Sequence, residues 1–340
     1  LAGMLFTGCD DFLDVNDNPD KGTYSTPEEE LPLIMFYASQ CNYDHAEYGM
    51  YLAQAWTTGG RSQSNSYAYK GGWEFLSMNR HPQWRRHYYD LGVNIKEMLE
   101  RAEEKKSYNF VLIGRTIRLM STQLTTDVFG DMPLTEAYTS LAPKYDTQES
   151  IYEWMLNEAD ELLRLYDDPS WTQAPTNITI TERMDRIYKG DLSKWKAFTS
   201  ALKARILLRK LPNWENNTSA CQAILDAVSG ADPDNFTEPN YVYPGGLNEK
   251  SSPWSEVRPI INSWESRGNE MDKALPTTFL CERMMGLGAP GYALGVLANA
   301  HDPRLGKLMV PREGPSGTDD QTTKIRCLDS NIGMDISYKE

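Results

Sequence analysis

The stretch FVLIGRTIRLMSTQL, residues 110–124, carries the clearest periodic pattern in the chain. Its apolar residues follow one another at intervals of three or four: Phe110, Ile113, Ile117, Met120 and Leu124. An α-helix places residues at that spacing on one face, whereas a half-buried strand would show strict alternation. The stretch therefore predicts an amphipathic helix whose apolar stripe must be covered by a neighbour.

Four further segments on either side repeat this pattern. Their apolar positions are Tyr88, Leu91, Ile95, Met98 or Leu99, and Ala102; Ile151, Trp154 or Met155, Ala159, Leu162 and Tyr166; Trp195, Phe198, Leu202 and Ile206; and Cys221, Ile224, Leu225 and Val228. No clear strand pattern lies between them, so the stripes can be buried only if consecutive helices pack on one another. The spacing is not a regular repeat, and periodicity alone therefore predicts an all-α helical array.

Two helix starts can be placed from capping signals. The first helix begins at Pro27, or at Pro32 because a helix interior tolerates proline poorly. The third stripe is expected to open at Asp146, with Glu149 completing a capping box.

Composition excludes several classes of protein. The chain of 340 residues has 34 basic and 48 acidic side chains, a net charge of −14, which argues against a nucleic-acid partner. No run of about 18 apolar residues exists, so no membrane-spanning helix is predicted. The 5 cysteines form no C-x-x-C pair, and the 4 histidines show no metal-ligand spacing. We therefore expect no metal and no cofactor.

The sequence also contains no convincing catalytic motif. Residues 286–291 match G-x-G-x-x-G, but no strand precedes them and Pro290 stands where the helix should open. No serine lies in a nucleophile elbow. Acidic residues are too numerous for a glycosidase pair to be picked from sequence. We predict no catalytic residue.

The N-terminus resembles the end of a bacterial export signal. Residues 5–9 read LFTGC at the end of an apolar run, which is similar to a lipobox. This predicts a partial signal peptide over residues 1–9 and lipidation of Cys9, so that acyl chains alone would hold the protein on a membrane.

Glycine and proline divide the rest of the chain. Residues 80–229 contain 10 of them, whereas residues 230–320 contain 21. We predict a tether over residues 10–30, a helical scaffold over residues 31–229 and a loop-rich lobe over residues 230–340.

Four segments in order resemble the SusD/RagB family, and more closely its SusD-like lipoprotein branch. They are CDDFLDVNDNP at residues 9–19, DVFGDMPLTEA at residues 127–137, GDLSKWKAF at residues 190–198 and DPRL at residues 302–305. Physical chemistry fits these segments: Gly130 suits a turn with positive φ, Asp131 can bond backbone amides there, and Asp191 or Ser193 can cap the following helix.

The resemblance implies a fold, a location and an activity. SusD-like proteins are lipoproteins on the outer face of the outer membrane of Bacteroidetes, and they cover a SusC-type TonB-dependent transporter. They bind an oligosaccharide or polysaccharide, in some members a peptide, and do not catalyse a reaction. Their fold is mainly α, a tetratricopeptide-like scaffold with a loop-rich ligand-binding lobe. Because family members are longer, we expect the chain to be truncated at both ends and the lobe to be incomplete.

Glycan capture needs flat aromatic faces with hydrogen-bonding groups around them, which selects candidate ligand contacts. The candidates are Trp56, Arg61, Asn65, Tyr67, Tyr69 and Trp73 in residues 56–73, a loop that contains two glycine pairs, and Trp254 and Trp264 in the loop-rich lobe. These aromatic residues could equally pin loops onto the scaffold.

Three other functions stay open. A peptide-binding uptake lipoprotein shares the family features. An all-α glycosidase would show turnover. An intracellular helical-repeat scaffold would carry no lipid at Cys9.

Overall fold

The protein was described from a computed structural model that covers residues 25–53, 55–58, 82–211, 217–244, 274–277, 280, 283–284, 324–328 and 335–339. Within these residues the chain is mainly helical, as the periodicity predicts. The helices are α1 (Pro27–Leu52), α2 (Pro82–Arg85), α3 (Asn94–Glu104), α4 (Tyr108–Phe129), α5 (Gln148–Tyr166), α6 (Pro169–Thr172), α7 (Leu192–Lys210) and α8 (Thr218–Gly230). The strands are β1 (Trp56–Thr58), β2 (Ala274–Pro276), β3 (Lys324–Leu328) and β4 (Asp335–Lys339).

Helix α4, which contains the stretch quoted first, forms the centre of the core. It packs against α1, α3, α5 and α7. Its buried residues therefore lie all around the helix rather than on one stripe. Phe110, Val111 and Leu112 are each 0% exposed, although they point in different directions around the helix axis.

The first helix begins at Pro27, and Pro32 lies inside it. The alternative start at Pro32 is wrong, and so is the boundary that assigns residues 27–30 to a tether. Leu31, Ile34 and Met35 are all 0% exposed, and this burial outweighs the backbone hydrogen bond that Pro32 cannot make.

The start of α5 differs from the predicted capping box. Thr147 is the N-cap, and its hydroxyl accepts a hydrogen bond from the Ser150 amide at 3.3 Å. The Asp146 carboxylate instead accepts from the amides of Leu134 and Thr135 at 2.8 and 2.9 Å. Asp146 therefore ties the preceding turn to the helix, a role that local capping rules do not reveal.

The turn after α4 confirms the role expected of its glycine. Gly130 has φ +75°, a conformation that side-chain-bearing residues rarely adopt. Asp131 Oδ1 accepts a hydrogen bond from the Gln148 amide at 2.8 Å. The turn thus connects the end of α4 to the start of α5.

Helix α2 continues into α3 through a π-helical stretch, Arg86–Val93. His87, in this stretch, is 5% exposed, and its Nδ1 lies 2.8 Å from Ser121 Oγ of α4. Burial, followed by the nearby Arg118, lowers the pKa of His87 to about 3. His87 is therefore a neutral imidazole in the folded protein at neutral pH.

Helix α8 forms where the fifth stripe predicts it, but its stripe is not the face that packs. Leu225 is 59% exposed and Val228 38% exposed, whereas Ala227 is buried. The Ala227 carbonyl accepts a hydrogen bond from Ser200 Oγ of α7 at 2.9 Å. So close an approach of two helices requires small residues, and the larger apolar side chains are turned away.

Strand β1 overturns the expectation that the loop of residues 56–73 begins at Trp56. Trp56, Thr57 and Thr58 pair antiparallel with Pro276, Leu275 and Ala274 of β2. A pairing between segments so distant in the sequence leaves no local periodic signal, and a strand of three residues is too short to show alternation.

The turn before α7 gives a first testable prediction. Gly190 has φ +83°, and a Cβ there would lie 2.8 Å from the Ile180 carbonyl oxygen. We expect Gly190→Ala to lower the free energy of unfolding by about 2 kcal/mol, because a left-handed conformation and a backbone clash would coincide. Thermal unfolding measures this. Gly49→Ala, where a Cβ meets nothing within 4 Å, is the matched control; equal stability losses would contradict the prediction.

Candidate ligand-binding cleft

Most of the predicted ligand contacts lie outside the described residues. This applies to Arg61, Asn65, Tyr67, Tyr69, Trp73, Trp254 and Trp264, and to the proposed lipidation site Cys9. For Trp56 the structure gives the backbone pairing in β1. Whether these residues form one site therefore stays a prediction.

A different site is present among the helices. A cleft of about 350 Å³ lies between α1, α4, α7 and the extended segment 239–243. Its volume falls within the range of small-molecule pockets. Its described lining residues are Ala38, Ser39, Asn42, Ile117, Met120, Ile187, Trp195, Phe198, Leu202, Arg205, Pro239, Asn240, Tyr241 and Tyr243.

Helix α7 supplies the apolar base of the cleft. Trp195 and Leu202 are 0% and 3% exposed, and Phe198 between them is half-buried. These residues form the predicted fourth stripe, so the periodicity located them correctly but as core rather than as the wall of a cleft.

A buried carboxylate fixes the orientation of Trp195. Asp185 is 0% exposed, and its Oδ2 accepts hydrogen bonds from Trp195 Nε1 at 2.8 Å and the Gly190 amide at 2.9 Å. Its Oδ1 accepts from the amides of Ile187 and Tyr188 at 2.9 and 3.0 Å. With Asp191 capping α7 as expected, the whole GDLSKW turn is held rigid beneath the cleft.

The segment 239–243 forms the opposite wall. The Val242 amide donates to the Arg186 carbonyl at 3.1 Å. The Tyr243 hydroxyl lies 2.8 Å from Ser39 Oγ and accepts from Gln40 Nε2 at 3.1 Å. The segment is thereby fastened both to the turn before α7 and to α1.

Two tyrosines give this wall its aromatic surface. The rings of Tyr241 and Tyr243 meet edge to face at 4.8 Å, a favourable aromatic geometry. Burial raises the pKa of Tyr241, so its hydroxyl stays neutral at physiological pH. An aromatic surface with neutral hydroxyl groups is suited to an apolar ring face that carries hydrogen-bonding substituents.

One arginine provides the charge of the cleft. Arg205 is exposed, and its Nε donates to Gln123 Oε1 of α4 at 2.8 Å. The walls of the cleft shield part of this side chain from water, which lowers the pKa of Arg205 from its ordinary value of 12.5, and the Asp127 carboxylate opposes this shift. Arginine does not lose its proton in proteins, so the guanidinium remains a cation.

Sequence reasoning missed Arg205, Asn240, Tyr241 and Tyr243 as site residues. The segment PNYVY at 239–243 directly follows the helical region and mixes aromatic with amide side chains, which was the available signal. In the part of the chain that the structure describes, no three His, Cys, Asp or Glu residues could together hold a metal ion.

Comparison with known proteins places these features in a family. The SusD-like family model, described as starch-binding and associating with the outer membrane, matches residues 31–323. None of the curated proteins matches the chain. Among the described helices, none is both long and apolar enough to cross a bilayer.

Solved structures share the fold. A SusD-like protein of Bacteroidetes AC2a is 17% identical, with 92% of this chain and 54% of that chain covered and a TM-score of 0.56. A chitin-binding protein is 19% identical, with coverages of 87% and 58% and a TM-score of 0.53. A SusD homologue from Bacteroides fragilis is 16% identical, with coverages of 84% and 53% and a TM-score of 0.51. The chain thus spans about half the length of these proteins.

Proposed function

The chain belongs to the SusD-like family, and from this membership we propose that it is a nutrient-binding lipoprotein of the outer membrane that captures a glycan. In this proposal the ligand passes to a SusC-type TonB-dependent transporter, and the protein itself catalyses no reaction. A lipid on Cys9 anchors the protein, facing the cell exterior.

The observation that carries the glycan proposal is the composition of the cleft. Phe198 and Tyr241 offer aromatic surface of the kind that sugar C–H faces contact, and Ser39, Asn42 and Asn240 offer groups for hydroxyls. One of the fold relatives carries the printed description "chitin-binding protein", which supports a saccharide as the ligand class.

We further propose that two regions contact the ligand. The first is the cleft. The second comprises the aromatic candidates of residues 56–73 together with Trp254 and Trp264, which resemble the mixture that glycan capture requires.

A binding screen tests this function. The full chain with Cys9→Ala, which removes the acylated residue, is screened by calorimetry and affinity electrophoresis against starch, chitin oligosaccharides, pectins and peptides. Each binder is then checked for hydrolysis products. Binding of one glycan class without turnover supports the proposal. Turnover would indicate a glycosidase, and binding of peptides alone would indicate peptide uptake.

Tyr241→Ala separates the cleft from the other region. We expect the affinity for the glycan to fall about 3- to 10-fold, because one aromatic contact is worth about 1 kcal/mol. Tyr89→Ala is the matched control, since Tyr89 is 67% exposed and lies outside the cleft. If Trp56→Ala and Trp73→Ala abolish binding while Tyr241→Ala has no effect, the cleft is not the glycan site.

A further inference from the structure

The cleft contains one cation, Arg205, whose terminal guanidinium nitrogens have no hydrogen-bond partner among the described residues. Arg205 donates through Nε to Gln123, and it has no ion pair and no other hydrogen bond with the residues that the structure describes. No Asp or Glu is among the described lining residues, although the chain as a whole has 14 more acidic than basic side chains.

Three other basic residues of α7 differ from Arg205. Lys196, Lys203 and Arg209 each form an ion pair with a carboxylate. The pairs are Lys196–Asp167 at 2.6 Å, Lys203–Asp160 at 2.5 Å and Arg209–Asp127 at 2.9 Å. Among the described residues, the guanidinium of Arg205 thus has no carboxylate within ion-pair distance, whereas Arg209, one helical turn later, has one.

The contact with Gln123 determines which edge of the guanidinium is available. Gln123 is 0% exposed, so its amide is a fixed acceptor rather than a mobile surface group. Because Nε is occupied, the two terminal nitrogens of Arg205 remain as a pair of parallel donors. That pair matches the two oxygens of a carboxylate end-on.

The rest of the cleft favours a sugar as the carrier of the carboxylate. Asn240 is exposed and its side-chain amide makes no hydrogen bond with the described residues. Phe198 and Tyr241 supply aromatic faces nearby. A uronic acid combines the three required features, namely a carboxylate, a C–H face and neutral hydroxyls.

We infer that the cleft binds an acidic sugar residue of a glycan, with its carboxylate on the terminal nitrogens of Arg205 and its ring against Phe198 and Tyr241. This inference rests on the proposed function and specifies its ligand class. Gln123 is a positioning residue that holds the guanidinium in place for the carboxylate.

The test compares an acidic glycan with its neutral ester and with an unrelated neutral polymer. The full chain with Cys9→Ala is titrated with polygalacturonate, with its fully methyl-esterified form and with starch. Alginate and hyaluronan extend the acidic set to other uronic acids. We expect at least one uronate to bind at least 10-fold more tightly than the neutral polymers, and its affinity to fall as NaCl is raised from 0.05 to 0.5 M.

The decisive variant is Arg205→Gln. We expect the affinity for the acidic glycan to fall about 10- to 100-fold and the salt dependence of binding to weaken. Arg205→Lys keeps the charge but loses the paired donors, so the affinity should fall less in that variant. Arg183→Gln is the matched control. It removes the same charge, but Arg183 is exposed and lies outside the cleft. Unchanged thermal unfolding shows that the variants are folded.

The outcomes distinguish this inference from the proposed function. Binding of neutral glycans in preference to all uronates, or equal effects of Arg205→Gln and Arg183→Gln, overturns the acidic-sugar inference and leaves glycan capture in place. Binding of peptides but of no glycan overturns both, and so does the absence of any binding.

Discussion

Replacing Asp185 with alanine is expected to lower the free energy of unfolding by about 3–5 kcal/mol, the largest loss that we expect from a single substitution. Its carboxylate accepts four hydrogen bonds, one from Trp195 Nε1 and three from backbone amides. Alanine would leave these buried donors without an acceptor. Because globular proteins are stable by only about 5–15 kcal/mol, such a loss removes a large share of the total.

Asparagine should not rescue the site. Each oxygen of Asp185 accepts from two donors, so an amide nitrogen in either position would face two N–H groups. We therefore expect Asp185→Asn to be almost as destabilising as Asp185→Ala in denaturant unfolding followed by circular dichroism. Asp191→Ala is the matched control, because it removes a helix cap at the surface and should cost only about 1 kcal/mol. Similar losses for Asp185→Ala and Asp191→Ala would refute this account.

Acidification is expected to destabilise the protein through His87. The pKa of His87 in the folded protein is about 3, against an ordinary value of 6.5. Below pH 6.5 His87 is protonated in the unfolded chain but stays neutral in the folded chain. The free energy of unfolding therefore falls as the pH is lowered from 6.5 towards 3. Between pH 7 and pH 4.5 this single group should remove about 2–3 kcal/mol from the free energy of unfolding.

His87→Gln isolates this contribution. The variant cannot take up the proton, so its unfolding free energy should fall less between pH 7 and pH 4.5 than that of the parent protein. Urea unfolding at both pH values measures the difference, and all other titrating groups are common to the two proteins. The same pH dependence in both proteins would show that His87 is not the cause.

Sequence patterns predicted the helices well because each helix carries its own signal. An amphipathic stripe such as Phe110–Leu124 reports the burial of one segment, whatever its neighbours are. The errors occurred where the controlling contact is distant. Pro32 is tolerated because its neighbours are buried, and Trp56 begins a strand because its partner is Pro276.

The cleft could not be predicted for the same reason. Ser39, Arg205 and Tyr241 belong to three segments that come together only in the folded chain. The identities of these residues do not by themselves indicate a binding site, since an arginine on a helix surface is usually an ordinary solvated residue. What distinguishes Arg205 is its place in a cleft whose described lining residues include no carboxylate, and that is a property of the tertiary structure.

The pairing of β1 with β2 has a consequence for the order of folding. The two strands are separated by 215 residues, 59–273, and closing so long a loop carries a large entropy cost for three paired residues. Once Tyr243 has docked on Ser39 and Gln40, only the 30 residues 244–273 separate the docked segment from β2. The closure cost then falls by roughly 2 kcal/mol. We therefore expect the helical core to assemble first, from contacts that are close in the chain, and the β1–β2 pair to form last.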